Sequence, residues 1–165
     1  MNRAFKRIFQ QASIMLALLF LTSCGFQLRG SYALPPSLQN ICLDQGEFKL
    51  LGMELEKRLV RSKVNLVNND SCARLKINNA KLDREVLSLF PNAQVAEYEL
   101  IYTVSYSFQL PEQQLRVLNV QAVRDYQDDP DAVLAKSKEM KILLAELRRH
   151  AAEQILLQLA SMENR

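Results

Sequence analysis

The chain has 165 residues, 21 Lys plus Arg against 18 Asp plus Glu, a formal charge of +3, 48% hydrophobic residues, 7% aromatics and no Trp. That length predicts one modest domain whose core buries roughly two-thirds of the unfolded surface, and an apolar fraction this high with only 4 Gly and 5 Pro excludes disorder and a collagen-like repeat. The positive excess would point to a polyanion only if it lay on the folded body, and it sits at the front of the chain.

Arg3, Lys6 and Arg7 form a basic start without an acidic residue, followed after Gln10 and Gln11 by an apolar run from Ile14 to Leu21. This is the layout of an export signal, since the apolar stretch of about ten residues is well short of the ~20 that a helix needs to cross a bilayer. It ends in Leu21-Thr22-Ser23-Cys24. That tetrapeptide resembles the lipobox of bacterial lipoproteins, in which the Cys thiol is diacylated, the signal is cut before it and the new amine is acylated. The expectation is a cleaved signal over residues 1–23, an N-acyl diacylglyceryl lipid on Cys24, a tether over 24–37 marked by Gly, Pro and Ser, and one domain over 38–165. The alternative is an ordinary secretory signal with a chance Cys. Gly25 follows the Cys where an Asp would favour inner-membrane retention in enterobacterial lipoproteins, so the resemblance implies the outer membrane. Three acyl chains make a lasting anchor. Loss of residues 1–23 removes three basic and no acidic residues, leaving 18 of each sign over 142 residues. The electrostatic case for a nucleic-acid partner falls away with them.

After the tether, a short strand is predicted over about Asn40 to Leu43, then a helix over about 48–62 with Leu51, Leu55 and Leu59 one turn apart. A second strand runs from about Ala73 towards Val86, with its alternation faltering near Asn78 and Asn79. Pro91-Asn92-Ala93 breaks the chain before the clearest pattern, Val95 to Leu110, where Ala96, Tyr98, Leu100, Tyr102, Val104, Tyr106, Phe108 and Leu110 share one parity. Pro111 to Gln114 turns the chain into a hairpin partner from Leu115 to about Tyr126. Asp128-Asp129-Pro130 then offers an N-cap with Pro at the first helical position, and a helix runs to about Ala160 with Val133, Met140, Leu144, Leu147, Ala151, Ile155 and Leu159 on one stripe. The fold class that follows is α+β, a single, mostly antiparallel four-stranded sheet with two helices on one face, in the order β-α-β-β-β-α. Within it the first two strands could pair in parallel through a helical crossover.

With Cys24 assigned to lipid, Cys42 and Cys72 remain in an oxidising compartment, and both fall on the outer parity of strands that could be neighbours. A disulfide is expected, closing a loop of about thirty residues; two separate free thiols are the alternative. No His accompanies them at zinc-like spacing, so neither a metal nor a cofactor is expected.

Catalytic patterns are missing. The chain has no GxSxG, HExxH or Gly-rich phosphate loop. His150 follows Arg148 and Arg149 and reads as a solvated helix residue, and Glu97/Glu99 and Asp128/Asp129 read as solvated and capping pairs. The row Tyr98, Tyr102, Tyr106 could serve a ligand but shares its parity with Leu100, Val104 and Phe108, so it reads as core. No enzyme is expected.

Cys24-Gly25-Phe26-Gln27-Leu28-Arg29-Gly30 resembles the start of the lipopolysaccharide-assembly lipoprotein family, LptE. The resemblance continues through Leu34-Pro35-Pro36-Ser37, Ile41-Cys42-Leu43-Asp44, Ala96-Glu97-Tyr98, Arg124-Asp125-Tyr126, Asp129-Pro130, Leu134-Ala135-Lys136 and Ala151-Ala152-Glu153-Gln154. It implies a four-stranded sheet with two helices and a non-enzymatic 1:1 partner of a large outer-membrane β-barrel, LptD. It also implies that the lipoprotein plugs that barrel, assists its assembly, faces the periplasm and barrel lumen, and contacts lipopolysaccharide on its way to the outer leaflet. The family's lipopolysaccharide contacts are basic residues near the loop before the long strand and near the start of the last helix. Lys136 matches the second; at the first, this chain has Pro91. A free periplasm-facing lipoprotein that binds a small lipid or glycan in a cleft beneath the helices is the alternative.

Overall fold

A computed structural model describes residues 34–69, 71–129 and 132–162. The expected signal over 1–23, Cys24 and the first part of the tether lie outside the described residues. Leu34 packs at the margin of the core, and a 3-10 turn over Pro36–Leu38 buries Leu38. Then come β1 (Asn40–Asp44), α1 (Lys49–Arg61), β2 (Asn65–Leu66), β3 (Ala73–Leu89), β4 (Val95–Gln109), β5 (Arg116–Gln127) and α2 (Val133–Ser161).

The strands form one sheet in the order β2-β1-β3-β4-β5. Pairing of β1 with β2 and with β3 is parallel, and pairing of β3 with β4 and of β4 with β5 is antiparallel. This corrects the expectation of a mostly antiparallel four-stranded sheet: the sheet is mixed and has five strands. The missed strand, β2, has two residues, too few for any alternation to register in sequence. It is held by backbone bonds, Asn65 N–H to the Gln39 carbonyl at 2.7 Å and Val67 N–H to the Ile41 carbonyl at 3.1 Å. The parallel pairing of β1 with the following long strand is present, with Ile41 against Ala73 and Leu43 against Leu75.

Helix α1 forms because Leu51, Leu55 and Leu59 recur at one turn and are buried together against the sheet. Before it, the chain turns at Gly46, whose φ of +51° favours glycine and whose N–H donates to Asp44 Oδ1 at 3.1 Å. At its end Lys63 takes the left-handed conformation, φ +62°. The Lys63 N–H then bonds the Val60 carbonyl and the Val64 N–H the Leu59 carbonyl, both at 3.0 Å, which closes the helix in a Schellman motif.

The faltering alternation in β3 is a bulge. Pairing with β4 shifts register between Ile77 and Asn79, and the Ser107 hydroxyl donates to Asn78 Oδ1 at 2.8 Å. Before the bulge Ala73, Leu75 and Ile77 are the buried residues; beyond it Ala80 and Leu82 are those that pack on the core. One extra residue has exchanged the two faces. On β4 the even parity, Leu100, Tyr102, Val104, Tyr106 and Phe108, is buried as the sequence predicts, and Tyr98 packs beside it.

Helix α2 has 29 residues, about 43 Å at 1.5 Å per residue, but its fully buried residues all lie in the second half, from Leu147 to Leu159. It begins at Val133 with no side-chain cap, which corrects the capping role expected of Asp128 and Asp129. Instead, Asp128 Oδ1 accepts the Asp129 N–H at 3.0 Å and the Asp129 carbonyl accepts the Ala132 N–H at 3.1 Å, so the aspartates build the turn out of β5. Pro130, expected at the first helical position, lies outside the described residues.

Cys42 and Cys72 are joined in a disulfide with a Cα–Cα distance of 5.6 Å, well within the usual span. It ties β1 to the residue preceding β3.

Candidate functional site

Both helices cover one face of the sheet, and the opposite face is open. Across its middle run short uncharged polar side chains, Thr103, Ser105 and Ser107 from β4 with Asn119 and Gln121 from β5. They bond to one another and to the bulge, Gln121 Nε2 donating to Thr103 Oγ1 at 3.3 Å and Ser107 to Asn78. Charges flank this row on the same face: Lys76 and Lys81 of β3 stand opposite Ser107 and Thr103 and pair with Asp44 at 3.5 Å and Asp83 at 2.6 Å, while Glu85, Glu99 and Asp125 lie side by side across β3, β4 and β5.

One end of the sheet carries a different chemistry. The β3–β4 hairpin ends in Val86, Leu87, Leu89 and Phe90, all of them exposed. Its turn is held by Phe90 N–H to the Gln94 carbonyl at 2.8 Å and by Asn92 Nδ2 to Gln94 Oε1 at 2.9 Å. The start of α2 lies at the same end, because Gln127 pairs with Glu97 and the Asp128 N–H bonds the Ala96 carbonyl. There Val133 and Leu134 are bare, Leu134 at 82% exposure. Exposed large apolar side chains gathered at one end in this way mark a candidate contact site.

Between hairpin and helix sits a small cluster. Tyr98 and Tyr126 stack with ring centroids 6.5 Å apart, and Lys136 Nζ lies 5.2 Å from the Tyr126 centroid while bonding Glu139 Oε2 at 2.8 Å. The bond to Glu139 raises the Lys136 pKa above its ordinary value. Partial desolvation, together with the nearby Asp128 carboxylate, raises that of the Tyr126 phenol. Lys136 thus has a side chain only 19% exposed and two partners.

Tyr102 and Tyr106 are buried, and burial holds both phenols above their ordinary value. The Tyr106 hydroxyl donates to Gln158 Oε1 at 2.7 Å. His150, read as solvated, is half-buried, and its buried Nδ1 has no hydrogen-bond partner among the described residues. Glu97 accepts from the Ser88 hydroxyl at 2.9 Å. Arg84 and Lys81 lie on the hairpin below its apolar tip. The bare tip escaped the sequence reading; its one signal is the run Val86-Leu87-Ser88-Leu89-Phe90, where alternation gives way to apolar residues of both parities. Among the described residues no group of three or more His, Cys, Asp or Glu is placed to hold a metal ion, and no helix is long and apolar enough to cross a membrane.

Fold and surface together describe a small α+β lipoprotein-type domain: a one-sided sandwich with an open polar sheet face and a bare apolar end. The family model for LptE, lipopolysaccharide-assembly, matches residues 45–159. The LPS-assembly lipoprotein LptE of Pectobacterium atrosepticum is 30% identical over 151 residues, covering 89% of this chain and 82% of its own. That of Yersinia enterocolitica is 30% identical over 145 residues, covering 86% and 70%. Among solved structures, rare lipoprotein B from Shewanella oneidensis superposes with a TM-score of 0.69 at 38% identity, over 75% of this chain and 96% of that one. A minor lipoprotein from Acinetobacter baumannii shares the fold with a TM-score of 0.65 at 20% identity, over 77% and 94%. The chain belongs to the LptE family.

Proposed function

We propose that the chain is an outer-membrane lipoprotein, anchored through lipid on Cys24 after loss of residues 1–23, that plugs and helps assemble a large LptD-type β-barrel. In that role it serves the transport of lipopolysaccharide to the outer leaflet and is not an enzyme. Family membership supports the assembly role, and one feature of this chain carries the plug. Its open sheet face is rich in hydroxyl, amide and charged side chains, which suits the hydrated, polar lumen of a large barrel. A lipid anchor in the same membrane raises the effective concentration of plug at barrel. Lys136 is assigned to lipopolysaccharide contact at the apolar end, where an anionic sugar phosphate would compete with Glu139 for the ammonium group.

The test is extraction of the tagged native protein in mild detergent. A large heat-modifiable barrel should co-purify in about 1:1 ratio. Recovery of the protein alone would overturn the plug. It would favour a free lipoprotein binding a small lipid or glycan, for which the candidate is a cleft of about 290 Å³ between the helices, floored by Leu82 and Tyr102 with Arg148 at its side.

A further inference from the structure

Strand β5 is an outer edge of the sheet, and strand edges invite pairing with another chain. From Val117 to Val123 it reads Val-Leu-Asn-Val-Gln-Ala-Val, with no charge, Pro or Gly. Its pairing with β4 is continuous, without a bulge. Such a segment has the composition of a self-associating strand. The usual blocks to edge pairing are therefore missing from this segment, and what protects it must come from residues outside it.

The alternation of its backbone is fixed by the bond from the Asp128 N–H to the Ala96 carbonyl. Even-numbered residues of β5 direct their N–H and C=O at β4, and odd-numbered ones direct theirs outward. The outward carbonyls of the uncharged segment's centre belong to Asn119, Gln121 and Val123. Two of them are already occupied by side chains. Gln158 Nε2, from α2, donates to the Asn119 carbonyl at 3.3 Å, and Arg124 Nη1 donates to the Val123 carbonyl at 3.1 Å. Each donor is itself held. Gln158 accepts from the buried Tyr106 hydroxyl at 2.7 Å, and Arg124 Nε lies 3.9 Å from Glu146 of α2.

We propose that Gln158 and Arg124 are edge guards, which keep β5 from adding a strand of a second copy of this chain. The strand is self-complementary. In an antiparallel pair centred on Gln121, Asn119 of one copy faces Val123 of the other, Arg124 faces Leu118 and Asp125 faces Val117, so no like charges oppose. In that register the bonds flanking the centre need the Asn119 and Val123 carbonyls, the two that the guards occupy. Helix α2 therefore has a second role beyond covering the core: it closes the sheet sideways and keeps the chain single and available to another partner.

Gln121 lies on the axis of such a pair, so Gln121→Cys reports it. The full-length lipoprotein in detergent, carrying Gln121→Cys, is treated with a short bismaleimide, with the unsubstituted chain as background. Adding Arg124→Ala and Gln158→Ala should raise the cross-linked dimer about fivefold, the effect of one modest hydrogen bond per copy. Arg124→Ala alone leaves the Tyr106–Gln158 bond intact and should give a smaller rise. Equal dimer yield with and without the guards, in variants that still melt cooperatively, overturns the proposal. If the double variant fails to melt cooperatively, Arg124→Ala decides alone, and no rise there overturns it equally.

Discussion

The Ser107 hydroxyl donates to the Asn78 side-chain carbonyl across the β3–β4 ladder at 2.8 Å, and Asn78 is the residue inserted at the bulge. Ser107 is also buried, at 7% exposure. The bond thus pins the point where β3 exchanges its inner and outer faces. Ser107→Ala should lower stability by about 1 kcal/mol, leaving the Asn78 carbonyl short of a donor. Chemical denaturation measures this, and an unchanged midpoint would show that the bulge stands without the bond.

The Cys42–Cys72 bridge spans 30 residues of sequence. In the chain-entropy model a loop of that size stabilises by about 3 to 4 kcal/mol. Paired Cys42→Ser and Cys72→Ser should lose stability of that order, and thiol titration of the unfolded wild-type protein without reductant should find neither Cys42 nor Cys72 free. Two reactive thiols would remove the bridge from the account.

Glu54 bonds Lys57 at 2.9 Å and lies 3.4 Å from Arg58, and its pKa is held below the ordinary 4.5, the bond to Lys57 being the largest cause. A depressed carboxyl stabilises the fold above its unfolded pKa, and that stabilisation fades as pH falls through the folded value. Melting temperature should therefore drop as pH is lowered past about 4.5, and Glu54→Gln should drop less over the same window. Parallel curves for the two proteins would rule the ion pair out as a source of acid sensitivity.

Lys136→Asp removes the ammonium from the face of Tyr126 and puts a carboxylate one helical turn from Glu139. If Lys136 meets lipopolysaccharide, binding by the purified protein should weaken about fivefold or more, as loss of one partly covered charge implies. Lys136→Met keeps the chain over the Tyr126 ring and should weaken binding too, while barely moving the melting temperature. Unchanged binding in both would withdraw the residue from the contact.

Where sequence and structure agree, the reason is amphipathic repetition. The Leu51, Leu55, Leu59 stripe and the Tyr102, Val104, Tyr106, Phe108 row each repeat often enough to declare a buried face, so α1 and β4 were legible to within a residue. Strand β2 was illegible because two residues carry no period. The start of α2 was misplaced because Asp128 and Asp129 have the composition of a cap yet spend their side-chain and backbone groups on a turn. The end cluster was half legible: Lys136 could be singled out from the resemblance, but not its engagement with Glu139 and Tyr126. Those contacts join the end of β5 to the first turns of α2, and no local pattern announces them.

The bridge between Cys42 and Cys72 encloses all of α1, β2 and the loop that leads to β3. A protease that cuts the backbone anywhere between those two cysteines separates nothing. Whatever is attached upstream of Cys42 stays covalently joined to the long strands and to α2, so one nick in the crossover leaves the molecule a single piece.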